Sequence, residues 1–302
     1  ITKSLQHCRW NRLPLHSKYN MKTLASLFKK IELQPLGENR FVGQNIFTPW
    51  GRVYGGQVLA QALHAAYQTV PEDRFAHSLH SYFILGGDLS KPVVYEVDII
   101  RDGGSFTTRR VIAKQKNETI FILAASFQIE EAGVSHQERI TDFNPPTLDD
   151  FKSLEQSKEM DRGNTILKGM EIEQIFQFFP LGKEILESGL SQVNFWTQSP
   201  SWESYSTPQK QQLLAFISDF GLMAAMSLPH EEVLRKKAVM MASLDHALWF
   251  HRPLKVAKGL LSVLQSPSTS NARGFARGNI FDASGNLIAS VAQEGLYRIY
   301  SN

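Results

Sequence analysis

The stretch Gln211–Leu228, QQLLAFISDFGLMAAMSL, is an almost unbroken apolar run that contains a single ionisable side chain, Asp219. A run of this kind is typical of a helix buried in a protein core. A carboxylate placed there costs several kcal/mol to desolvate unless a hydrogen bond or an opposite charge compensates. Two interpretations of Asp219 follow. With Ser218 it caps the helix, a role worth about 1 kcal/mol, or the sequence retains it for chemistry.

A second apolar helix is predicted earlier in the chain, where Gly55-Gly56 opens the Ala-rich segment Gln57–Tyr67. Alanine favours a helix, and its small side chain lets the helix lie close to a sheet. A predicted hairpin, Ile31–Leu36 and Arg40–Thr48, precedes this helix, and four strand-like segments follow it. These segments are Phe75–Leu85, Val93–Arg101, Ser105–Gln115 and Thr119–Ile129. A helix wrapped by one curved antiparallel sheet is a hot-dog fold.

The same order of elements recurs in the second half of the chain. Two strands, Glu171–Phe179 and Gln192–Ser199, precede a long helix that is predicted to run from Pro208 to Leu228. Four strands follow, at Met241–Phe250, Gly259–Gln265, Ala272–Phe281 and Leu287–Ile299. The sequence therefore predicts an α+β double hot-dog, with two tandem repeats that each wrap a curved antiparallel sheet around a long central helix.

One offset of about 165 residues relates the two halves. It places Gly56 on Gly221, Ser78 on Ser243, and Gln128 on Gln293. These anchors are a helix start, a strand start and a strand end, and their shared order predicts a duplication. The same offset places Tyr54 on Asp219, so only one half is predicted to keep the carboxylate.

The predicted domain boundaries follow this repeat. Residues 1–20 are basic and have no sustained periodicity, which predicts a disordered or non-native extension. Residues 21–135 are the predicted N-terminal hot-dog, and the polar segment 136–168 is the predicted linker. Residues 169–302 are the predicted C-terminal hot-dog, which carries the catalytic candidates.

Composition excludes several classes of function. Hydrophobic residues make up 42% of the 302 residues and charged residues 20%, as in ordinary globular proteins. The net charge of +3 is spread along the chain, so no nucleic-acid partner is predicted. Apolar runs of about 18 residues without a charge are absent from the sequence, so no membrane span is predicted. The single cysteine, Cys8, and a C-terminus unlike a peroxisomal signal predict a cytoplasmic protein.

Three polar residues of the second half are the catalytic candidates: Asp219, Ser243 and Gln293. In a hot-dog fold the start of the central helix lies against the middle of the sheet, so a residue there can meet residues of neighbouring strands. Plainer interpretations make Ser243 an ordinary strand serine and Gln293 a locally satisfied sheet residue. Gly55 and Gly56 are candidate substrate-binding residues, because free N–H groups at a helix start can hold an oxyanion. The alternative is that both glycines serve only tight helix–sheet packing.

The histidines do not form a recognisable metal site in the sequence. His246 and His251 lack the i, i+4 spacing of a helical zinc pair, and His77 and His80 lack a second group of ligands. We predict structural or surface roles for all four, and neither a metal nor a cofactor.

Five stretches of the sequence resemble the acyl-CoA thioesterase II family of double hot-dog enzymes. They are GRVYGGQVLAQAL at Gly51–Leu63, HSLHSYFILGGD at His77–Asp88, RDGGSFTTRRVIA at Arg101–Ala113, SLDHALWFHRP at Ser243–Pro253 and ARGFARGNIFDASGNLIASVAQEG at Ala272–Gly295. They occur in the family's order, and the resemblance extends from about Met21 to the end of the chain. The segment 1–20 has no place in it.

This resemblance implies a set of catalytic roles. The family uses an Asp at the start of the second helix, a Thr two residues before an Asp-His pair, and a Gln in the last strand. Here these are Asp219, Ser243 and Gln293, with Ser in place of Thr, so the hydroxyl is kept but the methyl group that stiffens its rotamer is lost. The implied reaction is hydrolysis of a fatty acyl-CoA, with a water held by Ser243 and Gln293 and deprotonated by Asp219. The resemblance also implies a homodimer or homotetramer.

Two other functions stay open at the level of sequence. A hot-dog dehydratase or hydratase pairs a His with an Asp or Glu, but the apolar run around Asp219 contains no His. A non-catalytic acyl-CoA-binding protein would not need the three polar candidates together.

Overall fold

The computed structural model describes residues 21–140, 143–146, 168–198, 202–255 and 259–300. The predicted extension 1–20 and most of the predicted linker lie outside the described residues.

Five α-helices occur in the described chain. They are α1 (Leu24–Ile31), α2 (Gly55–Tyr67), α3 (Thr207–Ser218), α4 (Leu222–Ser227) and α5 (Glu231–Lys236), with a 3-10 turn at Leu228–His230. The first helix is amphipathic and begins with a capping box, in which Thr23 and Ser26 exchange side-chain hydrogen bonds with the backbone. Ser206 and Gln209 form the same device at the start of α3.

Thirteen strands of the described chain form one sheet, and every pairing in it is antiparallel. The strands are β1 (Gln34–Gly37), β2 (Arg40–Gly43), β3 (Arg74–Phe83), β4 (Val93–Asp102), β5 (Phe106–Gln115), β6 (Glu118–Ile129), β7 (Gln177–Ile185), β8 (Ser191–Gln198), β9 (Val239–Ser243), β10 (Asp245–Phe250), β11 (Leu260–Ser270), β12 (Arg273–Asp282) and β13 (Leu287–Ile299). Their order is β1-β2-β4-β5-β6-β3-β10-β13-β12-β11-β8-β7, with β9 paired to β13. Strands β3 and β10 therefore join the two halves of the sheet.

The two long helices pack against each other and against this sheet. Helix α2 lies on β4, β5 and β6 and contacts α3, while α4 lies on β8, β11 and β12. The apolar faces meet in one large core that includes residues of both halves. The architecture is thus the predicted α+β hot-dog arrangement of helices against an antiparallel sheet.

Buried amides tie α2 to the chain around it. Gln57 accepts a hydrogen bond from the Ile46 N–H at 2.7 Å, and Gln61 donates to the carbonyls of Lys30 and Gln44 at 2.6 and 2.9 Å. The Tyr95 hydroxyl donates to Oε1 of Gln61 at 2.6 Å. Because buried polar groups cost free energy when unpaired, these contacts let a glutamine-containing helix remain in the core.

The predicted element boundaries are wrong in three places. The strand predicted to start at Glu171 begins only at Gln177, because the backbone of Glu171 bonds to Met21 and Phe47 instead of to a strand. The predicted strand Met241–Phe250 is two strands, interrupted at Leu244. The predicted helix from Pro208 to Leu228 is also interrupted, at residues 219–221.

The helical run Thr207–Lys236 is, by length and composition, the one run in the described part of the chain that could cross a membrane. Most of it is buried inside the protein, where it packs on α2 and on the sheet. A core helix meets the same criteria of length and composition.

Candidate functional site

Asp219 lies in a break between α3 and α4. It is the C-cap residue of α3, with φ −78° and ψ −6°, and α4 begins after Gly221, whose φ of +86° is in the left-handed region. The prediction that Asp219 opens the central helix is therefore wrong, because the residue ends one helix and precedes another. A Cβ atom at position 221 would lie 2.4 Å from Cε1 of Phe195, so both the backbone conformation and the sheet require glycine.

The Asp219 carboxylate nevertheless caps a helix, which is α2. Its Oδ2 accepts a hydrogen bond from the backbone N–H of Gly56 at 2.9 Å. The N-cap residue of α2, Tyr54, makes no side-chain capping bond. The first N–H groups of a helix lack intrahelical partners and favour negative charge. Asp219 of the second half therefore supplies the side-chain cap that Tyr54 of the first half does not provide.

The glycine pair makes this approach possible. A Cβ atom at position 55 would lie 2.6 Å from Oδ2 of Asp219, and one at position 56 would lie 2.3 Å from the carbonyl oxygen of Phe216. Gly56 thus allows α2 to pack on α3, and Gly55 leaves room for the carboxylate. The packing interpretation of the glycines holds in this respect, although the close neighbour is a helix and not the sheet.

Burial makes Asp219 easy to protonate. It raises the pKa of the carboxyl group to about 7, although the hydrogen bond from Gly56 lowers it. The second carboxylate oxygen, Oδ1, is shielded from solvent and has no hydrogen-bond partner. A carboxylate with one free oxygen and a pKa close to neutral suits a general base.

Ser243 and Gln293 lie on neighbouring strands and contact each other. The two strands β9 and β13 pair so that Ser243 lies opposite Gly295, and Nε2 of Gln293 donates to Oγ of Ser243 at 3.0 Å. Gln293 is buried, with 1% of its surface exposed. The pairing of β9 with β13 thus brings these two predicted side chains into contact.

A hydrogen-bond chain connects this pair to the residue before Asp219. Oε1 of Gln293 lies 2.8 Å from Nδ1 of His246, and Nε2 of His246 lies 2.9 Å from Oγ of Ser218. Direct hydrogen bonds from Asp219 to Ser243 or Gln293 are not present among the described residues. The link from the carboxylate to the pair thus runs through its chain neighbour Ser218 and through His246.

Sequence reasoning missed the place of His246 and Ser218 in this chain. The sequence predicts a structural or surface role for His246, and the structure buries it, with 1% of its surface exposed. Its position immediately after Asp245, in a strand whose alternate residues are buried, was the available signal. Ser218 was considered only as a helix cap.

A cavity of about 540 Å³ begins at the residues that follow Asp219. It lies between α4 on one side and β7 and β8 on the other. Its apolar wall is formed by Phe178, Phe195, Phe220, Gly221, Ala224 and Leu228, and Lys183 and Arg235 also line it. Small-molecule sites typically have volumes of about 300–1,000 Å³ and mostly apolar walls.

Comparisons with known proteins show the family of this chain. The family model "Acyl-CoA thioesterase N-terminal domain" matches residues 46–128, and the model "Acyl-CoA thioesterase" matches residues 191–296. Acyl-CoA thioesterase 2 of Haemophilus influenzae is 33% identical over 282 residues, which cover 91% of this chain and 98% of that protein. The chain belongs to the acyl-CoA thioesterase II family.

Other relatives support the same family assignment. Human acyl-coenzyme A thioesterase 8 is 34% identical over 281 residues, 89% of this chain and 88% of that protein. The solved structure of an acyl-CoA thioesterase II from Mycobacterium marinum is 32% identical and superposes with a TM-score of 0.75, covering 90% of this chain and 98% of that one. A hot-dog protein from Alicyclobacillus acidocaldarius, 17% identical with a TM-score of 0.68, shows the same fold. The chain is accordingly a thioester hydrolase.

Proposed function

We propose that this thioesterase hydrolyses fatty acyl-CoA to a free fatty acid and CoA, with a water activated by Asp219 and positioned by Ser243 and Gln293. The observation that carries the proposal is the Asp219 carboxylate. It is held at the start of α2 by Gly56, leaves Oδ1 without a partner, and has a pKa of about 7. The names of the bacterial and human relatives supply the substrate class, which is acyl-CoA.

The reaction needs one proton acceptor and one oxyanion site. Water adds to the thioester carbonyl as Oδ1 of Asp219 takes its proton. The tetrahedral oxyanion then collapses, the C–S bond breaks, and the proton passes from Asp219 to the CoA sulfur. Gly56 already donates its N–H to Asp219, so the remaining N–H groups of the first turn of α2 are the donors for the oxyanion. Gly55, which lacks a side chain, lets the Asp219 carboxylate reach this turn, so the base lies beside these donors.

The acyl chain occupies the cavity beside Phe220 and Gly221. Its wall lies between a helix and the sheet, and Phe178, Phe195 and Phe220 make it apolar. Because Phe220 directly follows Asp219, a chain in this cavity brings its carbonyl end towards the carboxylate.

The strand order supports two hot-dog repeats as the origin of the fold. Strands β1 to β6 and the strands β7, β8 and β10 to β13 occupy matching places on either side of the β3–β10 junction. At that junction Ser81 pairs with His246, and these two residues are separated by the offset of 165 found in the sequence.

His246 argues against a dehydratase. A histidine that removes a proton from a substrate needs an accessible ring nitrogen, whereas both nitrogens of His246 contact protein groups. The ring is also fully enclosed by the core.

The decisive experiment measures thiol release from palmitoyl-CoA and from shorter acyl-CoAs. Asp219→Asn is the informative variant, because Asn can still accept the Gly56 N–H but cannot act as a base. We expect it to lose about 10²–10⁴-fold in kcat. Release at the wild-type rate would remove Asp219 from the mechanism, and no release by the wild-type protein at any chain length would favour the binding function.

Ser243 is tested by two substitutions of opposite effect. Ser243→Thr keeps the hydroxyl and is expected to keep activity, whereas Ser243→Ala is expected to lose most of it because the water loses a hydrogen-bonding partner. An Ala variant as fast as wild type would exclude the hydroxyl from the mechanism.

The homodimer or homotetramer and the cytoplasmic location stay proposals. Tyr82, Ile84 and Leu85 form a run of exposed large apolar residues on the surface, as expected of a face that another subunit covers. Light scattering of the purified protein tests the assembly, and a monomer at micromolar concentration would contradict it.

A further inference from the structure

His246 is a buried polar residue that the proposed mechanism does not use. It lies on β10 with 1% of its surface exposed, beneath the C-terminal end of α3. Its ring contacts Gln293 through Nδ1 at 2.8 Å and Ser218 through Nε2 at 2.9 Å. Each nitrogen thus faces one side chain, and those side chains belong to different elements of the site.

With the Gln293 amide placed so that its Oε1 faces the ring, counting protons gives the direction of these hydrogen bonds. Burial lowers the pKa of His246 to about 4, although its bond to Gln293 opposes this, so the ring is neutral near pH 7 and carries one N–H. Oε1 of Gln293 can only accept, so the proton is on Nδ1. Nε2 is then an acceptor, and the hydroxyl of Ser218 donates to it at 2.9 Å rather than to the Ala215 carbonyl at 3.0 Å.

The other tautomer of His246 would reverse the direction of the hydrogen bonds that link Ser218, His246 and Gln293. With the proton on Nε2, the ring would donate to Ser218, and Ser218 would donate to the Ala215 carbonyl, which lies 3.0 Å from its Oγ. Nδ1 would then require a donor, so the amide of Gln293 would turn its NH₂ group towards the ring. Ser243 would face a carbonyl oxygen in place of an N–H. The position of one proton on His246 therefore decides which end of the Gln293 amide faces Ser243.

We propose that His246 is a positioning residue for the hydrolysis, which holds the amide of Gln293 with its NH₂ group towards Ser243 and the attacking water. One N–H of that group bonds to Ser243, and the other is left for the water. Without the ring, the terminal amide torsion has two broad minima, and the buried Oε1 loses its donor. This inference rests on the proposed function and assigns His246 no contact with the substrate.

Two substitutions separate the two sides of the ring. In His246→Asn the side-chain NH₂ group can take the place of Nδ1 and still donate to Gln293. In His246→Gln the longer side chain places its amide near Nε2, so it reaches Ser218 but not Gln293. We expect His246→Asn to keep most of kcat and His246→Gln to lose about 10–100-fold, with KM little changed in both. Equal losses in the two variants would indicate a purely structural role and overturn the inference.

A double-mutant cycle with Gln293→Ala tests the route of the effect. If His246 acts through Gln293, then His246→Gln costs little further kcat once Gln293 is absent. The same fold-loss in both backgrounds would overturn the inference while leaving the proposed function intact. By contrast, a Gln293→Ala variant as fast as wild type would contradict the proposed role of Gln293 itself.

The tautomer is measured directly in the wild-type protein, so the test survives if a variant fails to fold. Histidine labelled with ¹⁵N gives ring-nitrogen shifts that distinguish Nδ1–H from Nε2–H, and through-bond correlation to the backbone assigns the signal of His246. We expect a neutral ring with the proton on Nδ1 at pH 7. A proton on Nε2 would overturn the inference whatever the activity.

Discussion

At the scale of single residues, Asp219 is subject to two opposed electrostatic effects. The start of α2 favours its negative charge through the Gly56 N–H, while burial favours the neutral acid. Burial dominates, since the pKa is raised to about 7 and not lowered. A residue that only capped α2 would gain from a low pKa, so the outcome is more typical of a residue that exchanges a proton.

The first prediction is a rate that depends on this ionisation. Only the deprotonated carboxylate accepts a proton from water, so kcat should rise as the pH increases through about 7 and then level off. This dependence is measured as the pH profile of thiol release between about pH 5.5 and 9, a range that includes the pKa of Asp219. Ser243→Ala is the matched control, because it should lower the rate but keep the same inflection. A flat profile would contradict the role of Asp219 as the base.

The second prediction is that the same carboxylate destabilises the folded protein. The folded chain holds a proton on Asp219 up to about pH 7, and the unfolded chain only up to about pH 4. The free energy of unfolding therefore loses a contribution as the pH rises between these values, and the loss is complete above pH 7. Asp219→Asn does not titrate, so it should be more stable than wild type above pH 7, by on the order of 4 kcal/mol, because the pKa differs by about three units and each unit is worth about 1.4 kcal/mol.

Urea unfolding at acid and at alkaline pH measures this difference. The advantage of Asp219→Asn should shrink as the pH falls towards 4, where Asp219 is protonated in both states. An Asn variant that is less stable than wild type at alkaline pH would show that the charge on α2 outweighs burial.

Asp219 can be recognised as a candidate from the sequence, but the residues that contact it cannot. A lone charge in an apolar run is visible without a structure. The offset of 165 residues is also visible, and it matches Ser243 and Gln293 to polar residues of the first half. The Gly56 contact joins residues 163 positions apart, and no local pattern encodes it. His246 has the alternation of any buried strand residue, so its role depends on the two side chains that the fold brings to its ring.

At the scale of elements, two interruptions shape the site. The break at residues 219–221 turns the chain so that Asp219 faces α2, and the break at Leu244 separates β9, which pairs with β13, from β10, which pairs with both β3 and β13. Periodicity predicts a continuous helix and a continuous strand in these places, because the flanking residues have the right patterns. The local rules fail next to Asp219 and Ser243, which agrees with the proposed roles of these residues because regular structure is often interrupted at functional sites.

The third prediction concerns the cavity under α4. Replacing Ala224 by Phe adds a ring to its apolar wall, so less of a long acyl chain can enter. We expect kcat/KM for palmitoyl-CoA to fall by more than about tenfold, and that for butyryl-CoA to change much less. Ala132→Phe, which adds the same ring at an exposed position, is the control. Equal losses on both substrates would place the acyl chain elsewhere.

At the scale of the whole molecule, the two halves share one sheet and are joined by the contact between α2 and α3. Tyr54 of the first half donates its hydroxyl to the Phe216 carbonyl of the second at 2.9 Å, and Gln211 donates to the Ala76 carbonyl at 2.7 Å. Asp219 adds its bond to Gly56. The candidate site is thus made by contacts across the two halves, so we expect neither half to maintain it alone.

The fourth prediction tests this coupling with Gly56→Ala. Alanine is the better helix former by about 1 kcal/mol, but its Cβ would lie 2.3 Å from the Phe216 carbonyl oxygen. Overpacking of this kind costs about 1–3 kcal/mol or more, and it dominates because the neighbour is backbone and cannot rotate away. We therefore expect Gly56→Ala to lower the free energy of unfolding, measured by urea titration with far-UV circular dichroism and tryptophan fluorescence.

The control is Gly104→Ala, where a Cβ atom meets no neighbour within 4 Å. In a background with Trp10→Phe and Trp50→Phe, the remaining tryptophans Trp196, Trp202 and Trp249 all lie in the second half, so fluorescence follows that half, while circular dichroism follows both. If α2 and α3 couple the halves, the two signals shift together in Gly56→Ala, although the substituted residue is in the first half. A fluorescence midpoint that stays at the wild-type urea concentration would show that the halves unfold independently. The Asp219–Gly56 contact would then be a local feature of the site that does not couple the stabilities of the two halves.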